Sequence, residues 1–214
     1  MVNVENYYRI LEELNPYKAK LIAVSKTKPI ENLLQLSNLG QKAFGENYVQ
    51  ELVEKQKQQP GFEWHFIGHL QSNKAKVLAP FISLIHGIDS IKTLKEVNKE
   101  GLKANRILEC LLEIQIAKEE TKSGLHPDDA ENIFLSDELK SLKNISIRGF
   151  MGMATFTDDE KIIRAEFKSL RSLFEKFKNE NFNILSMGMT SDYKIALEEG
   201  STMVRIGSAI FGGR

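Results

Sequence analysis

Leu21-Ile-Ala-Val-Ser-Lys-Thr-Lys-Pro29, followed by Glu31-Asn-Leu-Leu-Gln-Leu-Ser-Asn-Leu39, reads as one complete β/α unit. The first piece is a short apolar run rich in β-formers, and proline stops it because proline has no N–H to give to a sheet. The second carries leucines at 33, 34, 36 and 39, the three- and four-residue steps of a helix with one apolar face. The same alternation continues to the end of the chain. Strands are expected at 20–26, 43–47, 63–68, 84–88, 108–116, 145–152, 184–189 and 203–207, with helical patterns between them. The longest of these patterns follows the sixth strand, where Ile162, Ile163, Phe167, Leu170, Leu173, Phe174 and Phe177 repeat at helical spacing. An extra helix, roughly 3–14, precedes the first strand.

Alternating strands and helices imply parallel strands joined by right-handed crossovers. Eight units favour a closed (β/α)8 barrel, an α/β fold of the TIM-barrel type, over an open doubly wound sheet. The 214 residues are close to the lower limit of about 200 for such a barrel, which demands short loops. An open sheet that bound a dinucleotide would carry a glycine-rich first turn, and neither G-x-G-x-x-G nor G-x-x-x-x-G-K occurs. With 42% hydrophobic residues and no linker or low-complexity tract, residues 1–214 are expected to form a single domain.

Composition removes several function classes. Lysine plus arginine number 29 and aspartate plus glutamate number 29, so no global field draws the protein to nucleic acid or to an anionic membrane. No apolar run reaches the roughly 20 residues that span a bilayer, and the N-terminus lacks the layout of a signal peptide. The single cysteine, Cys110, lies in an apolar run and reads as a small buried hydrophobe. A cytoplasmic protein is expected, and the balanced surface leans towards a monomer.

In a (β/α)8 barrel the functional side chains gather at the C-terminal ends of the strands, with phosphate held near strands seven and eight. Lys26 ends the first strand on the face of Ile22 and Val24. It is either a solvated strand-end charge or an amine freed for Schiff-base chemistry by partial burial. In the second strand, small Ala43 and Gly45 share a face with Asn47, leaving room for a flat ligand; Asn47 alternatively caps the next helix. His65 and His69 stand four apart in a strand-like stretch without the glutamate of a metalloprotease helix. Metal is therefore not expected, and His65 reads as pocket floor or as a satisfied core histidine. Ser186-Met-Gly-Met-Thr190 and Gly207-Ser208 supply hydroxyls and exposed amides for an anion, and Asp192 reads as a helix N-cap. Arg205, two residues before Gly207, points inward and needs an acceptor. An amine at one side and an anion cradle at the other fit an aldehyde-bearing phosphate, and pyridoxal 5′-phosphate has both groups.

Ala23-Val-Ser-Lys-Thr-Lys-Pro29, Phe44-Gly-Glu-Asn-Tyr-Val-Gln-Glu51, Trp64-His-Phe-Ile-Gly-His-Leu-Gln-Ser-Asn-Lys74, Lys122-Ser-Gly124, Ser186-Met-Gly-Met189 and Gly200-Ser-Thr-Met-Val-Arg-Ile-Gly-Ser-Ala-Ile-Phe-Gly212 resemble the pyridoxal phosphate homeostasis protein family. This is a single-domain group related to the alanine racemase barrel (fold type III). The resemblance implies that Lys26 holds pyridoxal 5′-phosphate as an internal aldimine and that Lys28 is a second, non-covalent lysine. It also implies that Asn47 lines the cofactor ring, that Thr190, Gly207 and Ser208 cradle the phosphate, and that Arg205 faces the pyridine nitrogen. Thr190 stands where the family usually has serine and keeps the hydroxyl; Lys122 matches a lysine near the barrel mouth. Alanine-racemase-like enzymes pair this barrel with a β-rich domain that supplies a tyrosine base, and this single-domain chain is expected to lack it. The expected function is therefore a non-catalytic carrier in vitamin B6 homeostasis that delivers cofactor to apo-enzymes. A pyridoxal-phosphate-dependent amino-acid racemase is the alternative.

Overall fold

The computed structural model describes residues 2–117 and 124–213. Among them the strands are β1 (Lys20–Val24), β2 (Ala43–Glu46), β3 (Glu63–Phe66), β4 (Leu84–Ile88), β5 (Leu108–Ile114), β6 (Ile145–Gly152), β7 (Ile184–Ser186) and β8 (Met203–Ile206). All neighbours are parallel, and the barrel closes where β1 pairs β8, with Lys20 opposite Met203 and Ile22 opposite Arg205. The expected (β/α)8 barrel is therefore present. In chain order the helices are α1 (Val4–Leu14), α2 (Ile30–Asn38), α3 (Val49–Gln58), α4 (Ala75–Leu78), α5 (Ile91–Lys103), α6 (Pro127–Leu135), α7 (Asp137–Ser141), α8 (Glu160–Phe177), α9 (Tyr193–Glu198) and α10 (Ser208–Phe211).

Two apolar layers hold the barrel. Ile22, Ala43, Leu84, Leu111, Met151 and Met203 fill the interior, each from a different strand. A larger layer joins the outer strand faces to the helices; in α8 it takes Ile163, Phe167, Leu170, Leu173 and Phe174, the stripe read from the sequence. Cys110 is buried there, and burial pushes its thiol up to about 12, so it behaves as a hydrophobe. The additional helix α1 is capped by the Asn3 side chain, which accepts from the Asn6 N–H at 2.9 Å. It buries Tyr7, Ile10 and Leu14, and Asn6 Nδ2 donates to the Ala209 carbonyl at 3.1 Å, tying the helix to α10.

Several strands stop earlier than the apolar runs predict. β1 ends at Val24, β2 at Glu46, β3 at Phe66, β5 at Ile114, β7 at Ser186 and β8 at Ile206. After β1 and β7 the cause is backbone geometry that a propensity run does not encode. Thr27 takes φ +62° and Gly188 φ +96°, both left-handed, so the chain turns out of the sheet just after β1 and β7. Arg205 therefore lies within β8, while the other candidate functional residues sit on the turns just above the strands.

Candidate functional site

Lys26, Asn47, Thr190, Arg205, Gly207 and Ser208 all line one cleft of about 430 Å³ at the C-terminal end of the barrel. They come from the ends of β1, β2, β7 and β8, which brings together residues as far apart in sequence as 26 and 208. Lys28 lines the same cleft, and its Nζ donates to the carbonyls of Gly212 and Gly213 at 3.1 and 2.9 Å. Val24, Ile67, Met153 and Met189 supply apolar wall, and Phe156 stands almost fully exposed beside them. A mostly apolar cleft of this size with a few convergent polar groups is what a small-ligand site requires. Lys122 lies outside the described residues.

Asn47 does not cap the next helix. Tyr48 holds the N-cap position of α3 without a side-chain cap, and Asn47 Oδ1 is buried with no hydrogen-bond partner among the described residues. A desolvated acceptor left unpaired costs about 1–3 kcal/mol, so it marks where a donor is wanted. The space expected above Gly45 is already filled: a Cβ there would lie 2.9 Å from Ile22 Cγ2 and 3.1 Å from Ile67 Cδ1. The room for a ligand lies higher, beside Asn47 and Ile67. Asp192 is positioned as the α9 N-cap, but its carboxylate makes no cap bond and accepts from the Met189 N–H at 2.5 Å, shaping the turn after Gly188.

Arg205 is buried and points inward, as its register with Gly207 predicts. Its acceptors are main-chain and hydroxyl oxygens: Nη1 donates to Ser186 O and Oγ at 2.8 and 2.7 Å, and Nη2 to Gly152 O at 3.1 Å. Burial pulls its pKa down to about 10 against the opposing charges of Asp192 and Glu113, so it remains a cation at neutral pH.

Behind Arg205 runs a line of hydrogen bonds that the sequence did not reveal. Ser186 Oγ lies 3.3 Å from His86 Nδ1, and His86 Nε2 lies 2.9 Å from His65 Nδ1. Because Arg205 only donates, the Ser186 hydroxyl proton turns to His86 Nδ1. His86 then carries its proton on Nε2 and donates it to His65 Nδ1. Both rings are neutral: burial lowers His65 to about 3 and His86 well below its ordinary value. His65 is thus a satisfied core histidine, and it borders a second cavity at the opposite barrel end with Lys20 and Glu63. No group of three metal-ligating side chains occurs among the described residues.

These two histidines predict acid lability. A folded-state pKa below the unfolded value means that the unfolded chain binds more protons, so stability is full above about pH 6.5 and falls as pH drops towards 3. At pH 5 His65 alone costs about 2 kcal/mol by the 1.36 kcal/mol per pH unit relation. Melting temperatures measured from pH 7.5 to 5 are expected to fall steeply below pH 6.5. A flat profile across that range would contradict the neutral pair.

The turn that carries Lys26 is held from outside the barrel. Lys55 of α3 is buried and its Nζ donates to Ser25 O, Glu46 Oε1 and Glu51 Oε1 at 2.8, 2.7 and 2.6 Å. Ser25 Oγ donates to Glu46 Oε1 at 2.6 Å, and the Thr27 N–H donates to Glu51 Oε1 at 2.6 Å. Burial raises the Glu46 carboxyl pKa, with Lys55 pulling the other way.

The family whose description is alanine racemase, N-terminal domain, matches residues 3–214. The pyridoxal phosphate homeostasis protein of Pasteurella multocida is 44% identical over 204 residues, covering 91% of this chain and 86% of the relative. The protein of the same name from Haemophilus influenzae is 42% identical over 211 residues, covering 95% and 88%. Among solved structures, PipY of Synechococcus elongatus without PLP superposes with a TM-score of 0.90 at 31% identity, covering 97% of this chain and 99% of that one. PipY with PLP bound gives 0.87 at 30% identity, with the same coverage. An alanine racemase of Clostridium difficile, at 14% identity and a TM-score of 0.77, covers all of this chain but 57% of its own, and shares the fold alone. With its eight-stranded barrel, its cleft and these relatives at over 40% identity, the chain belongs to the pyridoxal phosphate homeostasis protein family.

Proposed function

We propose that this protein binds pyridoxal 5′-phosphate in the cleft above β1, β2, β7 and β8 and serves intracellular cofactor homeostasis by holding it, without robust turnover. The observation that carries this reading is the convergence of Lys26, Asn47, Thr190, Arg205, Gly207 and Ser208 on one cleft with an unpaired buried acceptor, Asn47 Oδ1. Bound there, the cofactor supplies an aldehyde that condenses with a primary amine. Lys26 is the amine assigned to it, as the lysine that lines the cleft directly above β1. Thr190 and Ser208 contribute hydroxyls and Gly207 a bare backbone for the phosphate, and Asn47 Oδ1 accepts from the ring edge. Arg205, a cation at neutral pH, disfavours a proton on the pyridine nitrogen and leaves the ring a poor electron sink.

Carrier is favoured over racemase by the cleft itself. Racemisation needs a proton acceptor on each face of the substrate carbon, and beyond Lys26 and Lys28, which both come from the β1 side, the described lining residues include no histidine, tyrosine or carboxylate. The same reading takes residues 1–214 as one working unit and a monomer. Incubation of the cofactor-loaded protein with each common L-amino acid tests it: no enantiomer or keto acid should accumulate beyond the rate of free pyridoxal 5′-phosphate. Robust turnover of any one amino acid overturns the carrier reading in favour of the racemase.

A further inference from the structure

Lys26 occupies the second position of a four-residue turn, closed by the Lys28 N–H donating to Ser25 O at 3.0 Å. Thr27, the third residue, takes φ +62°, a position that such turns normally give to glycine or asparagine. A β-branched residue there is strained and keeps that conformation only where its surroundings impose it. The constraint is visible on both sides of Lys26. The Ser25 carbonyl accepts from Lys55 Nζ, and the Thr27 N–H is taken by Glu51 Oε1. Glu46 receives both the Ser25 hydroxyl and the Lys55 ammonium. The two peptide groups that flank Lys26 are therefore fixed by one charge cluster, whose ammonium is donated by a helix and whose buried carboxylate is donated by β2.

None of these three charged side chains lines the cleft. The cluster sits on the opposite face of the strands: Ser25 and Glu46 alternate with Val24 and Gly45, whose side points to the barrel interior. Glu51 is the most accessible of the three, at 23% side-chain exposure, while Lys55 and Glu46 are buried. A surface ion pair would be worth little. A buried ammonium with three acceptors, two of them carboxylates, is fixed by the cost of leaving any of its partners alone.

We propose that Glu51, Lys55 and Glu46 form a clamp whose role is to position the Lys26 amine for covalent capture of an aldehyde, acting through the backbone of the Ser25–Lys28 turn and not through contact with the ligand. The inference rests on the cofactor reading given above. The capture joins Lys26 nitrogen to the aldehyde carbon, and the aldehyde oxygen leaves as water with the two amine protons. The clamp takes no proton in that step. It sets where the amine stands relative to an aldehyde whose phosphate is held at the other side of the cleft. Loss of the clamp should weaken ligands that bond to Lys26 and spare those that cannot.

Pyridoxine 5′-phosphate, with an alcohol in place of the aldehyde, supplies that contrast. Dissociation constants for both ligands are measured on the unmodified protein and on Glu51→Ala, Glu51→Gln and Lys55→Met. Glu51→Ala is expected to weaken pyridoxal 5′-phosphate about tenfold, the scale of one charge-assisted hydrogen bond. It should change pyridoxine 5′-phosphate by less than about threefold, as a substitution outside the site does. Glu51→Gln, which keeps an acceptor for the Thr27 N–H, should recover most of the loss, and Lys55→Met should show the same split between ligands if it remains folded. Equal weakening of both ligands in Glu51→Ala, or weakening of neither, would overturn the clamp. An unmodified protein that binds the alcohol but shows no preference for the aldehyde, or binds neither, would instead sink the cofactor reading on which the clamp rests.

Discussion

Lys26→Ala is expected to raise the dissociation constant for pyridoxal 5′-phosphate on the order of 100-fold, equivalent to about 2.7 kcal/mol. The lysine is the cleft amine assigned to the aldehyde in the proposed function, and on that reading its removal would leave the ligand only the other cleft residues, Asn47, Thr190, Arg205, Gly207 and Ser208. Those contacts should keep the variant able to bind the phosphorylated alcohol, so its affinity for pyridoxine 5′-phosphate stays close to that of the unmodified protein. Lys28, whose ammonium donates to the Gly212 and Gly213 carbonyls, is not expected to take its place. Equilibrium dialysis with both ligands decides the matter. An unchanged affinity for pyridoxal 5′-phosphate would place the covalent bond on another lysine or remove it from the account.

Arg205→Met is expected to lower stability by about 3 kcal/mol, because Ser186 O, Ser186 Oγ and Gly152 O lose their donors inside the barrel. Methionine approaches the volume of arginine, so the loss reports unpaired acceptors more than a cavity. For a chain of this length a melting temperature drop of about 6–12 °C follows. The same substitution breaks the order of the line behind it. Ser186 no longer receives a proton from a cation, its hydroxyl is free to reorient, and His86 loses the constraint that fixes its tautomer. Calorimetry measures the first effect. A variant as stable as the original would show that relief from burying a cation offsets the lost bonds, and that Arg205 is kept for the ligand alone.

The barrel was legible because its information is local. Most strands fall on short apolar runs, and the clearest helices repeat leucines or phenylalanines at three- and four-residue steps, as in 21–39 and in α8. The six candidate residues were legible for a related reason: once the strands are counted, barrel topology puts their ends at one mouth. What escaped is what depends on long-range geometry. The left-handed turn at Thr27 has no marker in the sequence, and its peptide groups are bonded by Glu51 and Lys55, which come from a later helix. Asn47 read equally well as a cap, and the choice depends on α3 beginning at Val49 rather than one residue earlier. Lys55 and Glu51 carry the pattern of a solvated helix face with i,i+4 charges, yet Lys55 is buried on the carboxylate of Glu46. His65 and His86 belong to different strands, and their pairing follows from β3 lying next to β4.

The central claim is that the amine of Lys26 holds pyridoxal 5′-phosphate in this cleft. Its most direct measurement is to load the purified protein with the cofactor, reduce it with borohydride and map the modified peptide by mass spectrometry. A single pyridoxyl group on Lys26 is the predicted result. A protein that acquires none, or acquires it on a different lysine, contradicts the account.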